Sequence, residues 1–148
     1  MRLYLIRHGE AIDESVDPGR PLTENGRRDV AALAAHLNGA GLFPRRVLHS
    51  GKTRAAQTAA ILVELLRIDT PASPTEGLKP KDTPDTIVGR AAAWDEDTAL
   101  VGHLPSLERI ARALLGPSAA TGEFPAPGAV ILERDPAGAW HLLAQFPP

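Results

Sequence analysis

An arginine and a histidine follow one another at the end of an apolar segment near the start of this 148-residue chain. The segment from Leu3 to Ile6 is typical of a buried β-strand, and it runs directly into Arg7, His8 and Gly9. In open α/β sheets, ligands bind at the carboxyl ends of the strands. The position of this cation and this imidazole therefore favours a functional role over a structural one.

Two further segments place an arginine or a histidine just past a predicted strand. His103 ends the apolar run over 98–103, and Arg54 falls in the first turn of a helix predicted over 52–67. A guanidinium at a helix N-terminus opposes the helix dipole unless an anion lies in front of it. Arg20, in the loop before the first helix, could bring a further guanidinium to the same place in front of this helix N-terminus. Converging arginines predict a phosphate site, because a planar guanidinium matches two oxygens at once; the alternative is that they pair with carboxylates at the surface.

An imidazole within a phosphate-binding arginine cluster can act as a nucleophile. Histidine can accept a phosphoryl group, which splits one difficult transfer into two easier steps. Phosphoryl transfer needs mainly positioning and charge neutralisation, and guanidinium groups supply both without a metal. Neighbouring cations disfavour the imidazolium and keep a ring nitrogen of His8 free to attack, with Gly9 or a nearby carbonyl needed to fix the tautomer. The sequence leaves open which nitrogen attacks.

Other classes of site find less support. The two histidines could bind a metal, but neither has a carboxylate at ligand spacing and no His-x-x-x-His occurs, so we expect no metal and no cofactor. Gly51-Lys52-Thr53 resembles the end of a nucleotide-binding P-loop, which requires a glycine where this chain has Arg46. The signatures of serine hydrolases and dinucleotide-binding enzymes are absent. The remaining histidines are expected to be packed or solvent-facing: His36, His49 and His141.

The composition excludes several function classes. The net charge of -2 and the aromatic content of 4% give no reason to expect nucleic acid or a membrane as a partner. The chain has no cysteine, which excludes disulfides, thiolate catalysis and Cys-ligated zinc. We find no signal or transmembrane stretch and expect a cytoplasmic protein. The length indicates a single domain over 1–148, and we expect a monomer.

Strands alternate with helices along most of the chain. Strands are predicted over 2–7, 46–49, 98–103, 129–132 and 140–143, and helices from the Thr23 cap to Gly39, over 52–67, over 87–94 and from Pro105 onward. The stretch 69–86 is expected to be irregular. This alternation predicts an α/β fold with a largely parallel sheet covered by helices on both faces. The last two strands are predicted to pair as an antiparallel edge.

Four motifs resemble those of the histidine phosphatase superfamily in order and spacing. They are LIRHGE over 5–10, LTENG over 22–26, SGKTRAAQTA over 50–59 and VGHLP over 101–105. The short length and the segment 20–23 are most similar to the short SixA-type phosphohistidine phosphatases. The resemblance implies a phosphoglycerate-mutase-like fold, a three-layer α/β/α sandwich whose mostly parallel sheet has an antiparallel edge.

The resemblance also implies a metal-independent hydrolase of phosphoric esters or phosphoramidates. His8 would be the phospho-accepting nucleophile, and a water would hydrolyse the phosphohistidine intermediate. The phosphate would be held by Arg7, Arg54 and His103, with Arg20 as an additional ligand. We assign substrate binding to three further residues of the same motifs, Gly9, Thr23 and Ser50.

Two departures from the family pattern bear on the substrate. Gly51-Lys52 stands where the family usually has proline or aspartate after the serine, which adds a cation near the entrance. Larger relatives supply a proton-donating carboxylate from an insertion after the second helix. That region is short here, and Glu76 and Asp82, together with Asp85, are the candidate proton donors.

We therefore expect the substrate to be a phosphohistidine on a protein. A phosphoramidate has a weak P–N bond once it is protonated, so its leaving group needs less assistance than a sugar alcohol does. Little chain is available for a lid, and the site should be open to a protein-borne phosphate. The alternatives are a broad phosphatase of small phosphate esters, a non-catalytic phosphate-binding module and, with less support, a mutase.

Overall fold

The computed structural model describes residues 1–117 and 124–147. Within them, the elements in chain order are β1 (Arg2–Arg7), α1 (Glu24–Gly39), β2 (Arg46–His49), α2 (Thr53–Leu65), β3 (Ser73–Pro74), α3 (Asp85–Ala91), β4 (Thr98–Gly102), α4 (Ser106–Leu115), β5 (Gly128–Arg134) and β6 (Trp140–Phe146). In this part of the chain, no helix is long and apolar enough to cross a membrane.

The strands form one six-stranded mixed sheet in the order β3-β2-β4-β1-β5-β6. The β1–β4, β2–β4 and β2–β3 pairs are parallel, whereas β5 is antiparallel to β1 and forms an antiparallel hairpin with β6. Parallel neighbours need crossover connections, and helices supply them here. The predicted parallel sheet with an antiparallel edge is confirmed.

The central strand β1 separates two hydrophobic cores. Tyr4 and Ile6 lie in the core formed with α1 and α2. Leu3 and Leu5, which alternate with them, lie in the core formed with α3 and α4. Successive side chains of a strand point to opposite faces, so a strand that is apolar throughout must be covered on both sides. The result is the predicted three-layer α/β/α arrangement.

Several element boundaries differ from the predicted ones. Helix α3 begins at Asp85 and ends at Ala91, earlier than the predicted 87–94, because the αR backbone of Pro84 already starts the helical turn. Helix α2 is shorter than predicted at both ends, and α4 begins one residue after Pro105. The stretch 69–86 contains β3, a two-residue edge strand with a proline, which is too short for periodicity to detect.

Candidate active site

Three neighbouring parallel strands bring the predicted residues to one edge of the sheet. The register pairs Arg7 with Gly102 between β1 and β4, and His49 with Val101 between β2 and β4. The residues that follow these strands, His8, His103 and Ser50, therefore emerge side by side at the carboxyl ends of the strands. The imidazole rings of His8 and His103 have centroids 4.9 Å apart.

The buried ring of His8 has a defined tautomer. Its Nδ1 lies 2.6 Å from the carbonyl oxygen of Gly9. A carbonyl can only accept a hydrogen bond, so Nδ1 carries the proton and Nε2 keeps an unprotonated lone pair. Arg54 donates from Nε towards this Nε2 over 3.4 Å. Burial, together with the charges of Arg54, Arg7 and Arg20, lowers the pKa of His8 to about 4, which leaves the ring neutral at pH 7.

The second imidazole, His103, is only 2% exposed. Its Nε2 shares a 2.7 Å hydrogen bond with Ser50 Oγ, which also accepts a weaker bond from the backbone N–H of Lys52. Its Nδ1 is buried and has no hydrogen-bond partner among the described residues. Burial, the nearby His8 and the charges of Arg54, Lys52 and Arg20 lower the pKa of His103 to about 3. Both imidazoles are thus neutral at pH 7.

Three guanidinium groups surround the imidazoles. Burial and then the charge of Arg20 lower the pKa of Arg54. Arg20 has a left-handed backbone, with φ of 46°, and donates from Nε to the carbonyl of Ile12 over 3.2 Å. Arg7 donates to the carbonyl of Phe124 over 2.8 Å, while its buried Nε has no partner among the described residues.

None of Arg7, Arg20 and Arg54 pairs with a carboxylate in the part of the chain that the structure describes. A strained backbone at Arg20 and an arginine at the N-terminus of a helix are locally unfavourable, and contact with an anion would offset both costs. Positive charge that no ion pair neutralises, gathered around two neutral imidazoles, suits a doubly charged phosphoryl group.

The remaining predicted residues occupy different places. Gly9 is wedged against α1, where a Cβ would lie 2.8 Å from Val30 Cγ2, so no larger residue fits there without a shift. The hydroxyl of Thr23 caps α1 by accepting from Gly26 N at 2.8 Å and donates to Glu10 Oε1 at 2.8 Å. Both partners of Thr23 belong to the start of α1 and the loop after β1, which gives this residue a role in the shape of the loop.

A cleft of about 720 Å³ opens beside Ser50 and is lined by two of the three candidate proton donors, Glu76 and Asp82, whereas the exposed Asp85 does not line it. Glu76 is mostly exposed, at 88% of its side chain, and pairs with Arg90 over 3.8 Å. Asp82 accepts from the backbone N–H of Lys79 at 3.0 Å. The other residues that line this cleft are Pro74, Thr75, Gly77, Thr83 and Thr86. Ser50, whose Oγ bonds His103, is the residue that this cleft shares with the site.

The sequence analysis missed two residues that hold the site loops in place. Thr58 is fully buried, and its Oγ1 accepts from Gly9 N at 3.1 Å. Gln57 accepts through Oε1 from the backbone N–H of Leu22 at 2.7 Å, which ties α2 to the loop that carries Arg20. Both residues lie one turn after Arg54 on the same helix. This spacing places them on the same face as Arg54, and it is the feature of the sequence that could have identified them.

The structure offers no protein ligand set for a metal ion within residues 1–117 and 124–147. No group of three or more histidine or acidic side chains in these ranges could hold one. His49 is buried and accepts from Gly51 N, and His141 pairs with Asp135, so both serve local structure.

Residues 3–84 of the chain match the histidine phosphatase superfamily (branch 1). The chain belongs to this superfamily. Phosphohistidine phosphatase SixA of Escherichia coli (strain K12) is 32% identical over 114 residues, which cover 71% of this chain and 68% of that protein. An uncharacterized protein of Picosynechococcus sp. is 33% identical over 121 residues, with 77% of this chain and 73% of that protein covered.

A solved structure supports the same assignment. The protein histidine phosphatase SixA complexed with tungstate superposes with a TM-score of 0.86 at 27% identity, covering 98% of this chain and 96% of that one. The resemblance and the fold inferred from the sequence are therefore confirmed. Family membership and these relatives make this chain a phosphatase, a hydrolase that acts on phosphate esters.

Proposed function

We propose that this chain transfers a phosphoryl group to His8 Nε2 and then to water. The observation that carries the proposal is the 2.6 Å bond between His8 Nδ1 and the Gly9 carbonyl, which leaves the Nε2 lone pair free beside Arg54. A neutral imidazole with a fixed tautomer is a competent nucleophile at pH 7. In the first step, Nε2 bonds to phosphorus and the bond from phosphorus to the leaving group breaks.

The surrounding cations stabilise the charge of the phosphoryl group during this step. Arg7, Arg20 and Arg54 would neutralise the phosphoryl oxygens, and His103 would donate a hydrogen bond to one of them. As Nε2 bonds to phosphorus, the ring of His8 becomes positive, and the Gly9 carbonyl stabilises the Nδ1 proton. In the second step, water attacks phosphorus, the N–P bond breaks, and inorganic phosphate leaves with His8 restored.

The proposed substrate is a phosphohistidine carried by a protein. The E. coli relative is named a phosphohistidine phosphatase, and 32% identity over most of both chains supports a shared substrate class. The exposure of Glu76 also supports a phosphohistidine substrate, because a carboxyl group this exposed to water is poorly suited to protonating an alcohol leaving group. A phosphoramidate leaving group needs less assistance. The cleft beside Ser50 has room for the residues that flank a phosphorylated side chain.

Comparison of substrates tests this proposal. We expect kcat/KM for a phosphohistidine protein to exceed that for sugar phosphates and nucleotides, and His8→Ala to lose activity on all of them. His36→Ala, at an exposed histidine outside the site, should behave as the wild type. A preference of more than about tenfold for an ester, equivalent to about 1.4 kcal/mol of barrier, would contradict the phosphohistidine assignment.

A second candidate function is a broad phosphatase of small esters. It is favoured by the position of Asp82 and Glu76 in the cleft beside Ser50, where either could protonate an alcohol leaving group. The same substrate panel separates the two functions, since a broad phosphatase would turn over esters and phosphohistidine at similar rates.

A further inference from the structure

The residue that follows His8 is held by a side chain from a different element. The backbone N–H of Gly9 donates to Thr58 Oγ1 over 3.1 Å, and Thr58 in turn donates its hydroxyl proton to the carbonyl of Arg54 over 2.8 Å. Thr58 is 0% exposed, so water does not compete for either bond. One hydroxyl thus links the loop of the nucleophile to the first turn of α2, which carries Arg54.

This link acts on the atom that sets the tautomer of His8. The Gly9 carbonyl accepts the Nδ1 proton of His8 over 2.6 Å, and the N–H of the same residue is the group that Thr58 holds. With Val30 packed on its other side, Gly9 is clamped between α1 and α2. Loss of the hydrogen bond between Gly9 and Thr58 would let the Gly9 carbonyl turn away from His8.

We propose that Thr58 is a positioning residue: its hydroxyl holds Gly9 so that the Gly9 carbonyl keeps the proton of His8 on Nδ1 and Nε2 stays free to attack. The expected effect of Thr58 on turnover rests on the proposed function, in which His8 is the nucleophile. The expected effect of Thr58 on the tautomer of His8 does not depend on that role. A purely structural Thr58 would merely satisfy a buried N–H group. It would stabilise the fold without changing His8.

The test uses Thr58→Val, which keeps the shape of the side chain and removes the hydroxyl. We expect kcat to fall about 10- to 100-fold with little change in KM, because a small displacement of reacting groups costs this much. In ¹⁵N-histidine-labelled protein, NMR should show His8 protonated on Nδ1 in the wild type and a mixture of tautomers in the variant. Thr58→Ser, which keeps the hydroxyl, should restore both properties.

Thr98 provides a matched control. It is also 0% exposed, and its hydroxyl likewise links two groups, accepting from Arg46 Nε at 2.9 Å and donating to the Glu96 carbonyl at 2.8 Å. It begins β4, at the opposite end of this strand from His103. Thr98→Val should lower stability and leave kcat and the tautomer of His8 unchanged.

Three outcomes would overturn the proposal: kcat of Thr58→Val within about twofold of the wild type, a wild-type tautomer in that variant, or an equal loss of kcat in Thr98→Val. If Thr58→Val does not fold, Thr58→Ser and Thr58→Ala give the same comparison, since they differ by one oxygen. Full turnover in His8→Ala would reject the proposed nucleophile instead, and the NMR result would still decide the role of Thr58.

Discussion

His8 and His103 occupy equivalent positions on two adjacent parallel strands, one residue past the pair Arg7–Gly102, with ring centroids 4.9 Å apart. Two buried imidazoles at this distance, among guanidinium groups, stay neutral instead of becoming imidazolium ions at neutral pH. His8 is a principal cause, after burial, of the lowered pKa of His103. The pair is therefore neutral until a negatively charged group arrives to offset the surrounding positive charge.

Acidification should destabilise the folded protein through these histidines. Their pKa values, about 4 for His8 and about 3 for His103, lie below the unfolded value of about 6.5. Between about pH 6.5 and pH 4 the unfolded chain binds more protons, so stability rises with pH there and is lost as the pH falls. Urea unfolding at pH 7 and pH 4.5 measures the loss. This loss of stability should be smaller for His8→Gln than for the wild type; equal pH dependence in the two proteins would contradict the assignment.

Arg54→Ala should lower kcat/KM by about 10²- to 10³-fold, the usual cost of removing one group that stabilises charge in the transition state. The melting temperature should not fall, because the guanidinium is partly desolvated and repelled by Arg20. Steady-state kinetics and thermal unfolding of the same sample test both statements. Arg112→Ala, an exposed arginine on α4, is the control. A loss of kcat/KM below about tenfold would show that Arg54 does not belong to the phosphate site.

The sequence predicted the parts of the site that follow apolar strands. Arg7, His8 and His103 each come at or just past the end of such a segment, and the alternation of strands and helices brings these ends to one edge of the sheet. Arg54 was predictable for a related reason, since the start of a helix after a strand lies at the same edge. Local pattern and global fold agree at these positions.

Other features could not be predicted because they depend on contacts distant in sequence. The clamp on Gly9 joins residues 49 positions apart, and no local pattern identifies the buried hydroxyl of Thr58 as its acceptor. The strand β3 exists only because β2 offers it an edge. The relation of Glu76 and Asp82 to the cleft likewise follows from how the loop after β3 packs, which propensity does not determine.

A comparison of two substrates tests whether Glu76 or Asp82 acts as a proton donor. If either carboxylate protonates an alcohol leaving group, Glu76→Gln or Asp82→Asn should lower kcat on a phosphate ester by about 10²-fold and have a smaller effect on phosphohistidine. Asp95→Asn, at an exposed acidic residue that does not line the cleft, is the control. Ester hydrolysis at wild-type rate in both variants would exclude these two residues as donors.

A chelator should leave the activity unchanged. The proposed scheme assigns neutralisation of the phosphoryl charge to Arg7, Arg20 and Arg54, so no step needs a divalent ion. Activity after dialysis against EDTA, compared with an untreated sample, tests this expectation. A loss that zinc or magnesium restores would contradict the metal-independent mechanism.

Trapping of the phosphorylated protein tests the role of His8 most directly. Wild-type protein mixed with ³²P-labelled substrate and quenched in alkali within milliseconds should carry label that is stable in base and lost in acid, as expected for a phosphorylated imidazole. The label should map to His8, persist in His36→Ala and be absent from His8→Ala. Label on any other residue, or label that survives in His8→Ala, would contradict the proposed mechanism.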